Sequence, residues 1–160
     1  MFELTDKMKS SGFSLSGVCE SDYPEYFKVK KICYKKYVDE FYGGWDDDVQ
    51  LVKNKTSFEN AFAFTYFSKI MLNDEVVGFL TYCEEADRIS NVSLQMIPKA
   101  QNNGIGSHFL GCLVDLSDRT GKDIYLKVFK TNPAQNLYKR FDFIVYDETA
   151  SHYLMKRIHM

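Results

Sequence analysis

The run Gln101-Asn102-Asn103-Gly104-Ile105-Gly106-Ser107 constrains this chain more than any other stretch. An extended apolar run, residues 92–97, precedes it, followed by Pro98. After it, Ile105, Phe109, Leu113 and Leu116 recur on one helical face. The order is therefore strand, glycine turn, helix. Two glycines let the backbone curl and approach a ligand with no Cβ in the way. The first helical turn aims unpaired N–H groups and the positive dipole end at the same space. Such a turn is an anion site, most naturally for phosphate. A plain connection between strand and helix is the competing use of the same residues.

The familiar nucleotide patterns do not fit. No Gly-x-x-x-x-Gly-Lys-Ser/Thr occurs, and the third glycine of the dinucleotide fingerprint is replaced by Phe109. At 160 residues and 45% hydrophobic, the chain is expected to fold as one globular domain, residues 1–160. A net charge of −2 argues against binding nucleic acid through overall positive charge. No apolar run is long enough to span a membrane, and no signal peptide is recognisable, so a cytoplasmic protein is expected. Cys19, Cys33, Cys83 and Cys112 lack metal-ligand spacing and are expected to be buried free thiols, with no metal site.

The rest of the chain reads as alternating elements. Residues 1–10 are polar and mixed, a loose end. Residues 11–19 alternate as a strand. Asp22 is the expected cap of a helix with Pro24 in its first turn, and Tyr26, Val29, Cys33, Tyr37 and Phe41 mark its buried face. Gly43-Gly44 stops it. Asp46, Asp47 and Asp48 suit the positive end of a second helix, running to about residue 54. Residues 61–72, 75–83 and 89–97 read as a three-stranded antiparallel meander. After the glycine loop and its helix, which ends at Gly121, residues 124–129 form a strand parallel to the one before. Asn132 and Pro133 open another helix, with Gln135 at the capping-box position. Residues 141–146 and 152–158 close the chain as a hairpin.

Gln101, Gly104 and Gly106 fall in the places of Gln-x-x-Gly-x-Gly, which resembles the acetyl-coenzyme A pyrophosphate loop of the GNAT acetyltransferases. Asn132, Pro133, Ala134, Leu137, Tyr138 and Phe143 resemble that family's second landmark, with Asp142 where relatives usually carry glycine. The closing YLMKRI looks like its last strand, and YVDEFYGGWDDDVQ resembles a stretch between the first two helices of a bacterial branch. The resemblance runs over roughly residues 13–158. It implies an α/β (α+β) fold: a mixed, mostly antiparallel sheet of six to seven strands with about four helices. It also implies that the strands 92–97 and 124–129 splay apart.

The resemblance further implies acetyl-coenzyme A as cofactor and a small-molecule or peptide amine as acceptor, in a monomer or homodimer. The cofactor would lie along Met96 and Ile97, on the loop residues Gln101, Asn102, Asn103, Gly104, Ile105, Gly106 and Ser107, and near Asn132, Gln135 and Tyr138. Lys99, Lys130 and Lys139 are candidate phosphate partners or plain surface lysines. Tyr138 is the expected general acid: a phenol near pKa 10 stays protonated where a thiolate near 8.5 needs a proton. No carboxylate lies between Arg88 and Gly104, and Ser90 stands where many relatives carry a glutamate. The base is left unassigned, with Glu84, Glu85, Asp87, His108 and His152 as candidates beside a water path. Tyr42, Trp45 and Gln50 are expected around the acceptor, with Asp39, Glu40 and Asp46 to Asp48 attracting a cationic amine. Trp45 also suits a core anchor. A non-catalytic coenzyme A-binding module is the alternative function.

Overall fold

The computed structural model describes residues 2–160. Its elements are α1 (Asp6–Ser10), β1 (Phe13–Gly17), α2 (Tyr23–Phe41), α3 (Asp47–Ala61), β2 (Tyr66–Leu72), β3 (Glu75–Glu84), β4 (Arg88–Met96), α4 (Ile105–Thr120), β5 (Asp123–Phe129), α5 (Ala134–Arg140), β6 (Ile144–Glu148) and β7 (His152–Arg157). Seven strands form one sheet in the order β1-β2-β3-β4-β5-β7-β6. Only β4 and β5 run parallel, as a helical crossover demands. The expected α+β fold is therefore present, with five helices where four were expected. No helix among the described residues is long and apolar enough to cross a membrane.

Helices cover both faces of the sheet. On one side α2 presents Tyr23, Tyr26, Val29, Tyr37 and Val38, all buried. On the other, α4 buries Ile105, Phe109, Leu110 and Leu113. Phe58 of α3 is fully buried among the rings of Tyr23, Tyr26, Phe62 and Phe67. Removing such a ring costs about 3–5 kcal/mol, so α3 is anchored chiefly through this residue.

Several local expectations change. The N-terminus is not loose: Phe2 and Leu4 are buried, with the Phe2 ring 5.1 Å from Phe109. Two isolated apolar anchors leave no periodicity to read. Helix α3 continues to Ala61, and the meander begins at Tyr66. The aromatic run after residue 57 packs from a helix end and not from a strand. Asp22 precedes α2 but makes no side-chain cap on it. Its carboxylate instead accepts from Cys19 N at 2.8 Å and pairs with Lys69. Gln135 makes no capping box; its amide donates to the Lys130 and Asn132 carbonyls at 2.9 and 3.3 Å. The cysteines are free, but Cys19 is exposed and the other three are only half-buried.

Candidate functional site

The site begins with a break in the sheet. β4 and β5 pair at only two positions, Arg88 with Asp123 and Ile89 with Ile124. Just beyond, β4 carries a bulge: Ser93 faces Thr81 and Ser90 faces Cys83, so Asn91 and Val92 together oppose Tyr82. Asn91 takes φ +52°, a left-handed conformation that asparagine tolerates. Its carbonyl is fixed by the Thr81 hydroxyl at 2.7 Å. A bulge bends and re-aims its strand, which explains why β4 leaves β5 there. The two strands open like a V toward Met96 and Phe129, giving the expected splay a physical cause.

The glycine loop sits at the open end of β4. Gly104 starts α4 in the left-handed region at φ +79°, and Asn102 does the same at +64°. The first backbone hydrogen bond of α4 runs from His108 N to Gly104 O, leaving the amides of Ile105, Gly106 and Ser107 without helical acceptors. No acidic residue occupies that first turn. Gln101 and Asn103 brace the loop from within: Gln101 donates to Met96 O at 2.8 Å, and Asn103 to Gln101 O at 3.0 Å and Ala100 O at 3.3 Å. Ile97 is tied to Val77 by its N–H at 2.9 Å. A Cβ on Gly106 would lie 3.5 Å from both Met96 and Leu137, ordinary contact distance. The protein itself therefore does not demand glycine at 106.

Across the V stands α5. Asn132 Oδ1 accepts from Ala134 N at 2.9 Å, and the Gln135 bonds tie the same turn to the end of β5. At its far end the Phe143 and Asp142 amides return to the Tyr138 and Lys139 carbonyls at 3.2 and 3.1 Å. This is a Schellman closure, with Asp142 in the left-handed position at φ +65°. The turn that relatives make with glycine is thus kept. Between these fixed ends Tyr138 is 6% exposed, its ring 5.8 Å from Phe143. Burial pushes its phenol up to about 12. Tyr34, on α2, is raised too, by burial first and by the nearby Tyr138, with the Ser93 side chain opposing the rise.

On the α2 face the mouth of the cleft is aromatic. Phe129 stacks between Tyr37 and Phe41, at 5.0 and 5.9 Å, and the His152 ring lies 4.0 Å from it. The Tyr42 hydroxyl meets Ser151 Oγ at 2.8 Å, and Ser151 Oγ meets His152 Nδ1 at 2.7 Å. Burial, with Lys127 and Lys53 nearby, lowers the His152 pKa, so the imidazole is neutral at pH 7. His152 is a candidate base that sequence could name but not place.

The expected acceptor residues separate. Tyr42 is at this mouth. Trp45 packs against Phe27 at 5.9 Å, and its indole N–H donates to Asp47. Gln50 is buried in α3, where its backbone and side-chain oxygens accept from Asn54 at 2.9 and 3.3 Å. Four of the five acids of this region accept hydrogen bonds, and Asp48 accepts none among the described residues. Asp39 holds Lys35 and Trp45 N, Asp47 holds Lys31, Asp46 caps α3, and Glu40 accepts from Thr131. Of the turn acids, Glu84 pairs with Lys122, Asp87 with Arg88, and Glu85 accepts from Ser90. His108 bonds Glu3 O at 2.7 Å and packs on Phe2, a structural role. Lys99 pairs with Glu75 and Lys130 with Glu148, while Lys139 makes only a 3.5 Å contact with Gln135.

Known folds place this architecture. It is similar to the PaiA N-acetyltransferase of Thermoplasma acidophilum in complex with coenzyme A, at TM-score 0.65 and 15% identity over 92% of this chain and 99% of that one. It is similar to the ribosomal-protein-S18-alanine N-acetyltransferase of Escherichia coli, at TM-score 0.63 and 18% identity over 92% and 95%. Arabidopsis thaliana Naa50 in complex with the bisubstrate analogue CoA-Ac-MVNAL gives TM-score 0.63 and 20% identity over 91% and 98%. Among curated proteins none matches this chain by sequence. The sequence model of the Acetyltransferase (GNAT) family matches residues 30–143, a span that contains the bulge, the glycine loop and the Tyr138 helix. With a splayed β4/β5 pair and a glycine-started α4 inside that span, the chain belongs to the Acetyltransferase (GNAT) family.

Proposed function

We propose that this protein is an N-acetyltransferase that moves the acetyl group of acetyl-coenzyme A directly onto a primary amine held in the same complex. Acetyl-coenzyme A is the acetyl donor of the GNAT family, and a similar fold carries coenzyme A. When bound, it supplies a thioester-activated acetyl group. The residues present fit it: free α4 amides with no acid nearby for its pyrophosphate, and an unpaired β4 edge ending at Met96 and Ile97 for an extended arm.

The observation that carries this reading is the cleft itself. It opens between β4 and β5, with the glycine loop at the end of β4, the aromatic mouth on the α2 face and buried Tyr138 on α5, the helix that follows β5. Acetyl transfer needs an amine without its proton and a proton for the departing sulfur. Tyr138 holds its proton across the whole physiological range. The buried surroundings that raise the phenol would also disfavour a bare thiolate, and Tyr138 would hold the proton that a departing sulfur requires. On the acceptor side, neutral His152 is oriented through Ser151 and Tyr42.

A coenzyme A-binding module without catalysis is the second reading, favoured only by the lack of a carboxylate on β4. Thiol release from acetyl-coenzyme A with a panel of amines and peptides decides between them. Amine-dependent release supports the enzyme. Tight cofactor binding with no release from any acceptor supports the module.

A further inference from the structure

Three lysines around the acceptor mouth have no carboxylate partner among the described residues, two of them lying over aromatic rings. Lys30 Nζ lies 4.8 Å from the Tyr34 ring centroid, and Tyr34 is 6.0 Å from Phe129. Lys53 Nζ lies 5.2 Å from the Tyr42 ring, the residue bonded to Ser151. Lys127 is two residues before Phe129 on β5, on the same face of the sheet. They come from α2, α3 and β5, and together they surround the Phe129–His152 contact. None of the three is in an ion pair among the described residues, although most other lysines near them are. Of the acids that sequence placed around this mouth, Asp39 and Asp47 are paired with Lys35 and Lys31, Asp46 accepts from the α3 backbone and Glu40 from the Thr131 hydroxyl.

The lysines sense each other. Burial pushes the Lys30 ammonium down to about 8; Cys33 opposes this, while Lys127 and Lys53 add to it. Lys127 and Lys53 also act on His152. The glycine-loop amides lie across the sheet: Gly106 faces Leu94, Met96 and Leu137, whereas Ser93 and Gln95 meet Tyr34 and Tyr26. The lysines are therefore on the acceptor side, away from the phosphate loop.

Resting on the acetyltransferase reading, we infer that the acceptor is an amine that also bears a carboxylate, which docks on Lys30, Lys53 and Lys127. The chemistry is consistent on both charges. A cationic mouth disfavours an ammonium and so helps the nucleophile lose its proton. The acceptor's own carboxylate repays the three clustered cations and steers it in. A polyamine, with no anion, would bring further positive charge to these lysines. The carboxylate can come from a free amino acid or from an acidic side chain near a peptide N-terminus.

The test compares kcat/KM for matched acceptors with the intact protein. One arm uses glutamate, its α- and γ-amides, and a diamine of equal length. The other uses short peptides differing only in Glu, Gln or Lys at the second position. The carboxylate-bearing member of at least one arm is expected to win by about ten-fold or more, the size of effect that a paired charge gives. Whichever arm shows it names the source. Lys53→Glu and Lys127→Glu should each erase or invert the preference and leave acetyl-coenzyme A affinity unchanged. Equal or better use of the amide or diamine overturns the inference, as does a preference that survives both variants. A fall in cofactor affinity in those variants also overturns it, by assigning the lysines to the cofactor. If no amine is turned over, the acetyltransferase reading fails separately. Calorimetry of glutamate on the acetyl-coenzyme A-loaded protein then still reads the lysines, and absence of Lys127-dependent binding overturns the inference.

Discussion

Replacing Tyr138 by phenylalanine removes one oxygen and leaves the rest of α5 in place. The hydroxyl takes no part in any hydrogen bond within the fold, and burial is the sole cause of its raised pKa. The ring, 5.8 Å from Phe143, is unchanged by the substitution. Stability should therefore move by no more than about 0.5 kcal/mol. Activity should not be so spared. Loss of a positioned general acid costs on the order of 10²–10⁴ in rate, or about 2.7–5.4 kcal/mol of transition-state stabilisation. Steady-state thiol release at saturating acetyl-coenzyme A measures kcat, and calorimetry measures cofactor affinity. The expected result is a large fall in kcat with affinity and melting temperature unchanged. The pH dependence has a definite sign. With its folded pKa near 12, Tyr138 holds its proton more tightly than the unfolded chain does, near 10. Its contribution to stability is thus complete below about pH 10 and is lost between about pH 10 and 12. The variant lacks that loss, and the wild-type rate shows no alkaline decline from this group in any ordinary assay range. A folded Tyr138→Phe protein whose kcat falls less than about ten-fold refutes the acid role. A fall in affinity alone reassigns Tyr138 to binding.

Other substitutions probe separate parts of the argument. Gly106→Val puts its Cβ at ordinary contact distance from Met96 and Leu137, and where circular dichroism shows the variant folded it should lower acetyl-coenzyme A affinity by about ten-fold or more by crowding the helix N-terminus; unchanged affinity by calorimetry moves the phosphate site elsewhere. Lys30→Met keeps the stem and removes the desolvated charge. It should stabilise the protein at neutral pH by on the order of 1 kcal/mol in urea titration. Because the Lys30 pKa is depressed to about 8, wild-type stability should rise with pH from about 8 toward the ordinary lysine value, and Lys30→Met should lack that rise. Asp142→Gly relieves a left-handed non-glycine residue at φ +65° and should raise stability by about 0.5–1 kcal/mol without altering kcat.

The glycine loop and the Tyr138 helix were legible because each is a local signal. Gly104 needs its left-handed φ whatever surrounds it, and Asn132-Pro133 starts a helix by its own turn chemistry. The splay was expected only by resemblance, and its cause was hidden. Nothing about Ser90-Asn91-Val92 announces a bulge until Thr81 and Cys83 are known to lie opposite. Residues 1–10 failed for the opposite reason. Their structure depends on Phe2 reaching Phe109 and on His108 reaching the Glu3 carbonyl, contacts with no periodic trace.

The proposed acceptor mouth shows how a local charge pattern is altered by the partners the fold supplies. Residues 39–48 hold five acids in ten positions, which reads as an attractor for cations. Such density also makes local partners easy to reach. Asp39 finds Lys35 one helical turn away, Asp47 finds Lys31 across α2, and Asp46 is consumed by the helix it starts. A charge paired at 2.6–2.8 Å contributes little field at a distance, because its partner cancels it. The cations without an ion pair come from positions 30, 53 and 127, too far apart in sequence to be read together. Among the described residues none of the three has a carboxylate partner, and burial around Lys30 leaves less water to screen its charge. Pairing thus removes two of the five acids from the field at the mouth, while the three lysines keep their charge there. On that ground the mouth selects for an anion on the acceptor.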